Sequence, residues 1–121
     1  RCLTVSEAEA TAAERARTAY REQAHEALEG FDLLLTPTLS AVAPPTGLGD
    51  AVLREELIRF TYPFNALGWP ALALPCGPAE DALPASLQIV GRPGSDALIL
   101  AAGKLVESAS SPTSVRSQPG P

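Results

Sequence analysis

The architecture of this chain is set by residues 60–91, FTYPFNALGWPALALPCGPAEDALPASLQIVG. Two apolar runs, at 71–75 and 85–91, flank a polar turn at 77–84. Apolar and polar side chains alternate within 85–91, which is typical of a strand, and a connection this short favours an antiparallel hairpin over a crossover. The stretch therefore predicts a β-hairpin around which the other elements pack.

An aromatic, proline-rich segment, residues 60–70, comes directly before the first of these two runs. Pro63 and Pro70 restrict the backbone, and the residue before a proline favours extended conformations, so we expect a rigid loop. We predict that four residues of this segment bind substrate in an apolar pocket: Phe60, Tyr62, Asn65 and Trp69. The alternative is that the aromatic side chains plug the core beside the sheet and that Asn65 bonds the loop backbone.

A long helix is predicted at residues 4–29. Thr4 with Glu7, or Ser6 with Glu9, has the spacing of a capping box at its start. Small side chains recur at helical spacing and give one narrow face: Ala8, Ala12, Ala16, Ala19, Gln23 and Ala27. Such a face buries little area, so the helix needs a ready-made surface on which to pack.

A further strand and a short helix are predicted between the long helix and the aromatic segment. Residues 31–39, FDLLLTPTL, contain a continuous run of leucines, which suits a strand covered on both faces. Residues 40–50 are rich in proline and glycine and predict a loop. Residues 51–59 predict a short amphipathic helix.

A closing helix follows the hairpin. Ser95 is a candidate N-cap, and five apolar residues then recur at helical spacing: Leu98, Ala101, Ala102, Leu105 and Val106. Gly103 costs this helix about 1 kcal/mol relative to alanine, which close packing on the sheet would explain. Residues 108–121 have no periodicity and predict a disordered tail after a domain segment at 1–107.

The order of the elements is helix, strand, helix, hairpin, helix, which predicts an α/β fold in layers. Three strands with apolar residues on both faces do not complete a sheet, because the open edges need pairing. We therefore expect the chain to require a partner segment and to be incomplete in isolation. The presence of Arg1 where an initiator methionine would stand fits this expectation.

Composition narrows the classes of function. The net charge is -5 with no basic stripe, which argues against a nucleic-acid partner, and no apolar run approaches the roughly 20 residues of a membrane span. With Cys2 and Cys76 far apart and His25 the only histidine, the chain alone lacks the about four ligands of a structural zinc site. We predict no metal, no cofactor and a cytoplasmic location, and we interpret His25 as a solvated helix residue.

Three segments resemble the C-terminal region of the amidase signature family. They are FDLLLTPTL at 31–39, FTYPFNALGWPALALPCG at 60–77 and LPASLQIVGRPGSDALILAAGKLVE at 83–107. The family patterns are similar to "DVLLTPT", "FT-P-N--G-PA-S-P-G" and "GLP-GLQ-VG", followed by a helix rich in leucine and alanine. Ala82 stands where the family has glycine, and Ala85 and Ser86 stand where "VG" is usual.

The resemblance implies that the chain is the C-terminal part of a mixed-sheet α/β/α fold, in which helices cover both sides of a large mixed sheet, and that it is incomplete as an isolated chain. It also implies catalysis by a serine nucleophile, a bridging serine and a lysine near a Gly/Ser-rich stretch. This chain has no such stretch, and its only lysine, Lys104, lies on the predicted closing helix. No serine lies in a GxSxG motif. We therefore predict no catalytic residue in this chain.

The family's glutamine-using amidotransferase subunits hold glutamine with an aspartate just before "FT". Ile58 occupies that position here and Arg59 follows it, which favours a general amidase acting on an apolar or aromatic amide. We predict the C-terminal part of an amidase that converts a small carboxamide to an acid and ammonia or an amine, with the remainder of the amidase domain as its partner. The alternative is a non-catalytic binding or assembly module, or an inactive remnant.

Overall fold

The computed structural model describes residues 4–47 and 50–110. Within these residues the chain forms four α-helices and three strands. In chain order they are α1 (Glu7–Ala27), β1 (Leu33–Pro37), α2 (Asp50–Ile58), α3 (Tyr62–Leu67), β2 (Ala71–Pro78), β3 (Pro84–Gly91) and α4 (Asp96–Ser110). The predicted order of elements is confirmed, with α3 as an addition.

The three strands form one antiparallel sheet in the order β1-β3-β2. The predicted hairpin is β2 and β3, in which Leu72 pairs with Ile89. On its other side β3 pairs with β1, and Leu34 lies opposite Val90. A short 3₁₀ turn at Glu80–Ala82 closes the hairpin. The central strand β3 is therefore paired along both of its edges, and β1 and β2 are the outer strands.

Helices cover the two faces of the sheet. Successive side chains of β3 point to opposite faces, so Ile89 and Val90, both fully buried, face different helices. Val90 clusters with Leu67 and Trp69 on the side of α1 and α3. The other face carries α4, whose buried residues include Ile99. The chain is thus a mixed α/β structure with helices on both sides of a three-stranded sheet.

Gly103 lets α4 lie very close to the sheet, as the sequence predicts. A Cβ atom at this position would stand only 2.4 Å from the Cδ2 atom of Leu72. The predicted apolar face of α4 is wrong in part, since Leu98 and Leu105 are 45% and 73% exposed. The helix instead packs through Ile99 and Gly103, because the glycine allows the closest approach and thereby fixes the rotation of α4.

The side of α1 that packs on the domain is not the predicted alanine face, whose alanines are exposed among the described residues. The Nε atoms of Arg17 and Arg21 donate hydrogen bonds to the carbonyls of Ala66 and Leu67, at 3.0 Å and 3.3 Å. These carbonyls lie in the last turn of α3, where carbonyl groups have no hydrogen-bond partner within the helix. Leu28 packs against the core cluster on this same side. The arginines therefore select the packed face of α1.

The capping box at the start of α1 is formed by Ser6 and Glu9, so the helix begins later than the predicted residue 4. The hydroxyl and the amide of Ser6 both donate to Oε2 of Glu9, at 2.7 Å and 2.8 Å. These two bonds hold the pKa of Glu9 below its ordinary value of 4.5. Because the folded-state pKa is depressed, the stabilisation is present above the unfolded-state pKa and is lost as the pH falls through the folded-state pKa.

We expect Ser6→Ala to raise the pKa of Glu9 towards its ordinary value, because both the side-chain donor and the geometry of the cap are lost. The measurement is an NMR titration of the Glu9 carboxyl. Thr11→Ala is the control, since the Thr11 hydroxyl bonds only the Glu7 carbonyl in the same helix. A Glu9 pKa that Ser6→Ala leaves unchanged would show that the capping bonds do not set it.

The sheet edges and the outer surface of α4 leave large apolar side chains exposed within the described residues. Leu35 on β1 is 53% exposed, and Leu100 and Leu105 on α4 are exposed to a larger extent. The helix α4 continues to Ser110, so residues 108–110 of the predicted tail are helical. Residues 111–121 lie outside the described part of the chain, and the division at 107 stays a prediction.

Candidate functional site

The aromatic segment, residues 60–70, is not the extended loop that its prolines predict. Its centre is the short helix α3, with Pro63 in the first turn. Proline is tolerated there because the first amides of a helix have no partner inside the helix. Gly68 then ends the helix in a left-handed conformation with φ of 73°. The centre of the segment is therefore helical where the sequence predicts a loop, and its rigidity stays a prediction.

The four residues predicted to bind substrate occupy three different environments. Trp69 is only 6% exposed and belongs to the core cluster. Its ring meets the ring of His25 edge-on, with 5.3 Å between the centroids. Tyr62 and Asn65 are exposed one turn apart on α3, and Phe60 is half-buried. The structure does not bring the four into one cavity, and their contact with substrate stays a prediction.

A separate groove of about 720 Å³ lies where β1 ends beside the turn that closes the hairpin. Three parts of the chain form it: the end of β1 with residues 39–43, the end of β2 and the start of β3. Its lining residues are Leu35, Thr36, Pro37, Leu39, Ser40, Ala41, Val42, Ala43, Cys76, Ala79, Glu80, Pro84, Ala85, Ser86 and Leu87. None of the four predicted binding residues is among them.

The lining of the groove is apolar with few polar groups. Thr36, Ser40 and Ser86 contribute hydroxyl-bearing side chains, and Glu80 is the only charged residue in the part of the lining that the structure describes. The Ser40 hydroxyl donates to the carboxylate of Glu56 at 2.8 Å, which ties this wall of the groove to α2. An apolar cavity with a few polar groups is the usual form of a small-molecule site. The sequence of residues 40–50 predicts only a loop, because no periodic pattern reveals a groove formed by separate segments.

Gln88 lies between the groove and the aromatic segment. It is 4% exposed on the central strand, and its side-chain nitrogen donates to the hydroxyl of Thr36 at 3.1 Å and to the carbonyl of Phe60 at 2.9 Å. The alternating pattern of 85–91 assigns it only a strand position. The signal for this role in the sequence is an amide side chain within an otherwise apolar strand, because a buried amide needs hydrogen-bond partners.

The described residues contain no arrangement of a nucleophile and a base. Within 4–47 and 50–110, no serine or cysteine side chain bonds the side chain of His25 or Lys104. The Ser95 hydroxyl donates to the Arg92 carbonyl, and Lys104 is exposed on α4. The same ranges hold no group of three His, Cys, Asp or Glu side chains arranged for a metal ion. None of their helices is long and apolar enough to cross a membrane.

Comparison with known proteins gives a consistent result. The family model described as Amidase matches residues 3–100. The chain is 40% identical over 95 residues to one subunit of the glutamyl-tRNA(Gln) amidotransferase from Moorella thermoacetica, a match that covers 77% of this chain and 19% of that protein. It is 43% identical over 81 residues to an acylamidase from Rhodococcus erythropolis, covering 60% of this chain and 17% of that protein.

A solved structure shares the fold as well. The crystal structure of an amidase superposes with a TM-score of 0.79 at 37% sequence identity, covering 88% of this chain and 26% of the other. The chain therefore spans about a quarter of that structure, and between 17% and 19% of the length of the two relatives above.

Proposed function

The chain belongs to the amidase family, and from that premise we propose that it is the C-terminal portion of an enzyme that hydrolyses carboxamides to an acid and ammonia or an amine. The observation that carries the proposal is the match of the family model to residues 3–100. The similarity to an acylamidase supports amide hydrolysis in particular. The short span of the match supports the assignment of the chain to one portion of a longer enzyme.

The proposal places the catalytic groups outside this chain. A serine nucleophile attacks the amide carbonyl, assisted by a second serine and a lysine, and an acyl-enzyme forms as the amine leaves. Water then releases the acid. Within the described ranges the hydroxyls of Ser95 and Ser108 donate to backbone carbonyls, as structural serines do, which supports this division of labour. The role of this chain is then to complete the sheet and to form part of the substrate site.

The partner of this chain in the proposal is the remainder of the amidase domain. The free edges of β1 and β2 carry unpaired backbone groups, which proteins pair or cover. Leu35 and Leu105 are exposed apolar side chains in the described residues, and further strands and helices would bury them. We place the intact enzyme in the cytoplasm, as the sequence predicts.

We propose an amide with an apolar acyl or aromatic group as the substrate. The groove supports this choice because most of its lining is apolar and its volume of about 720 Å³ suits a small molecule. Ile58, where the glutamine-using subunits have an aspartate, removes a group that would hold a polar substrate. Tyr62 and Asn65 are exposed and suited to direct contact, whereas Trp69 supports the aromatic segment from the core.

The intact protein is expected to release the amine from a medium-chain acyl anilide, and residues 1–121 alone are expected to release none. The measurement is the release of aniline, with and without a serine-directed sulfonyl fluoride. Lys104→Ala in the intact protein is the control and should keep kcat/KM within about twofold, because it is a surface residue.

Three outcomes would contradict the proposal. Hydrolysis by residues 1–121 alone, or its loss in Lys104→Ala, would place the catalytic groups in this chain. Binding of the anilide by the intact protein without turnover would support the alternative of a non-catalytic binding module.

A further inference from the structure

Gln88 joins two surfaces that are distant in sequence. Its side-chain nitrogen has two hydrogens, and each has an acceptor: the hydroxyl of Thr36, 52 positions earlier, and the carbonyl of Phe60, 28 positions earlier. Thr36 lines the groove, and Phe60 begins the aromatic segment. One buried amide thus holds the groove and the aromatic segment at a fixed separation.

The strength of this link follows from its burial. Gln88 is 4% exposed and lies on the central strand, with Thr36 directly opposite it on β1. Water has little access to compete for the two bonds, and loss of the donor would leave the Phe60 carbonyl without this partner. No other side chain among the described residues bonds that carbonyl. Among the described residues, Gln88 therefore supplies the side-chain hydrogen bond that joins the start of the aromatic segment to the sheet.

The link also orients the hydroxyl of Thr36. A hydroxyl group has one hydrogen to donate and lone pairs that accept. Since the Thr36 oxygen accepts from Gln88, its own hydrogen is directed elsewhere, and the groove borders this residue. Gln88 therefore fixes the Thr36 oxygen as the acceptor in this bond and leaves the Thr36 hydrogen for a different acceptor.

We propose that Gln88 is a positioning residue for substrate binding. It sets the separation of the groove and the aromatic segment and directs the hydroxyl of Thr36, without touching the reacting atoms. This inference rests on the proposed function, because it requires both surfaces to contact the amide substrate.

The test uses the intact protein and kinetics with the medium-chain acyl anilide. Gln88→Met keeps the length of the side chain and removes both donors. We expect KM to rise about tenfold while kcat changes less than about twofold, because binding surfaces move and the catalytic groups do not. Gln23→Met is the matched control, since Gln23 is exposed on α1, and its KM should equal that of the wild type.

Gln88→Glu supplies a second readout that a packing role would not change. An ionised carboxylate has no hydrogen for the Phe60 carbonyl, whereas a protonated one donates a single bond. Burial favours the protonated form, so the KM defect of Gln88→Glu should shrink as the pH falls from about 8 to about 6. The defect of Gln88→Met should stay constant over the same range. If Gln88→Met does not fold, the KM of Gln88→Glu relative to the wild type over this pH range provides the test, and a defect that does not shrink as the pH falls would overturn the inference.

The outcomes separate this inference from the proposed function. A wild-type protein that hydrolyses the anilide while Gln88→Met keeps its KM would overturn the positioning role alone. The same holds if the Gln88→Glu and Gln88→Met defects show identical dependence on pH. A wild-type protein without amide hydrolysis would overturn the proposed function and this inference with it.

Discussion

Trp69→Ala is expected to lower the free energy of unfolding by about 4 kcal/mol, the usual cost of removing a large buried aromatic side chain. Trp69 is only 6% exposed and forms the core cluster with Leu67 and Val90. Its removal would leave a cavity between α1, α3 and the sheet that these neighbours fill only in part. The edge contact with the His25 ring would be lost as well.

The measurement is chemical unfolding of the intact protein, followed by circular dichroism. Tyr62→Ala is the matched control from the same aromatic segment: Tyr62 is 62% exposed, and its loss should change the free energy by less than about 0.5 kcal/mol. The pair also decides between the two interpretations of the segment. A Trp69→Ala protein of normal stability with a raised KM would show that Trp69 contacts substrate and that its packing role is wrong.

Gly91→Ala is expected to destabilise the protein by about 3 kcal/mol, near the upper end of the usual cost of overpacking. An added Cβ would stand 2.1 Å from the Oγ atom of Ser95 and 3.1 Å from its Cβ atom. The Cδ1 atom of Ile99 lies equally close, at 3.1 Å. Ser95 cannot turn away freely, because its hydroxyl donates to the Arg92 carbonyl at 2.6 Å in the turn that leads into α4.

A double-mutant cycle tests this explanation by chemical unfolding. Ser95→Ala removes the atom nearest to the new methyl group, so Gly91→Ala should cost less in the Ser95→Ala background than in the wild type. Gly103→Ala is expected to destabilise the protein less than Gly91→Ala does. Its added methyl group meets the movable end of the Leu72 side chain, and alanine raises the helix propensity by about 1 kcal/mol. Equal costs of Gly91→Ala in both backgrounds would show that Ser95 is not the obstacle.

The strands and the longer helices could be predicted from the sequence because each carries its own pattern. The alternation in 85–91 and the leucines of 31–39 identify β3 and β1, and the capping box of Ser6 and Glu9 marks the start of α1. The sequence does not predict the short helix α3, because a proline is compatible both with the first turn of a helix and with a loop. Its six residues are too few for a periodic pattern to develop.

The packed faces of the helices could not be derived from hydrophobicity. On α1, Arg17 and Arg21 contact α3 through hydrogen bonds, so a charged side packs and the alanine side stays exposed. On α4, Gly103 decides the contact, although glycine adds nothing to an apolar pattern. The groove was missed for a related reason, because the end of β1 and the hairpin meet only in the folded sheet. These features depend on tertiary contacts, which cannot be derived from local sequence patterns.

The strand order β1-β3-β2 has a consequence for how the protein forms during synthesis. The central strand is the last of the three to be made, so neither edge strand has its sheet partner until residues 84–91 have left the ribosome. The leucines of β1 must wait while the intervening residues are added, and pairing over such distances in sequence is slow. An exposed apolar strand that waits is prone to associate with other chains. A nascent chain interrupted before β3 would therefore be a natural client for a chaperone.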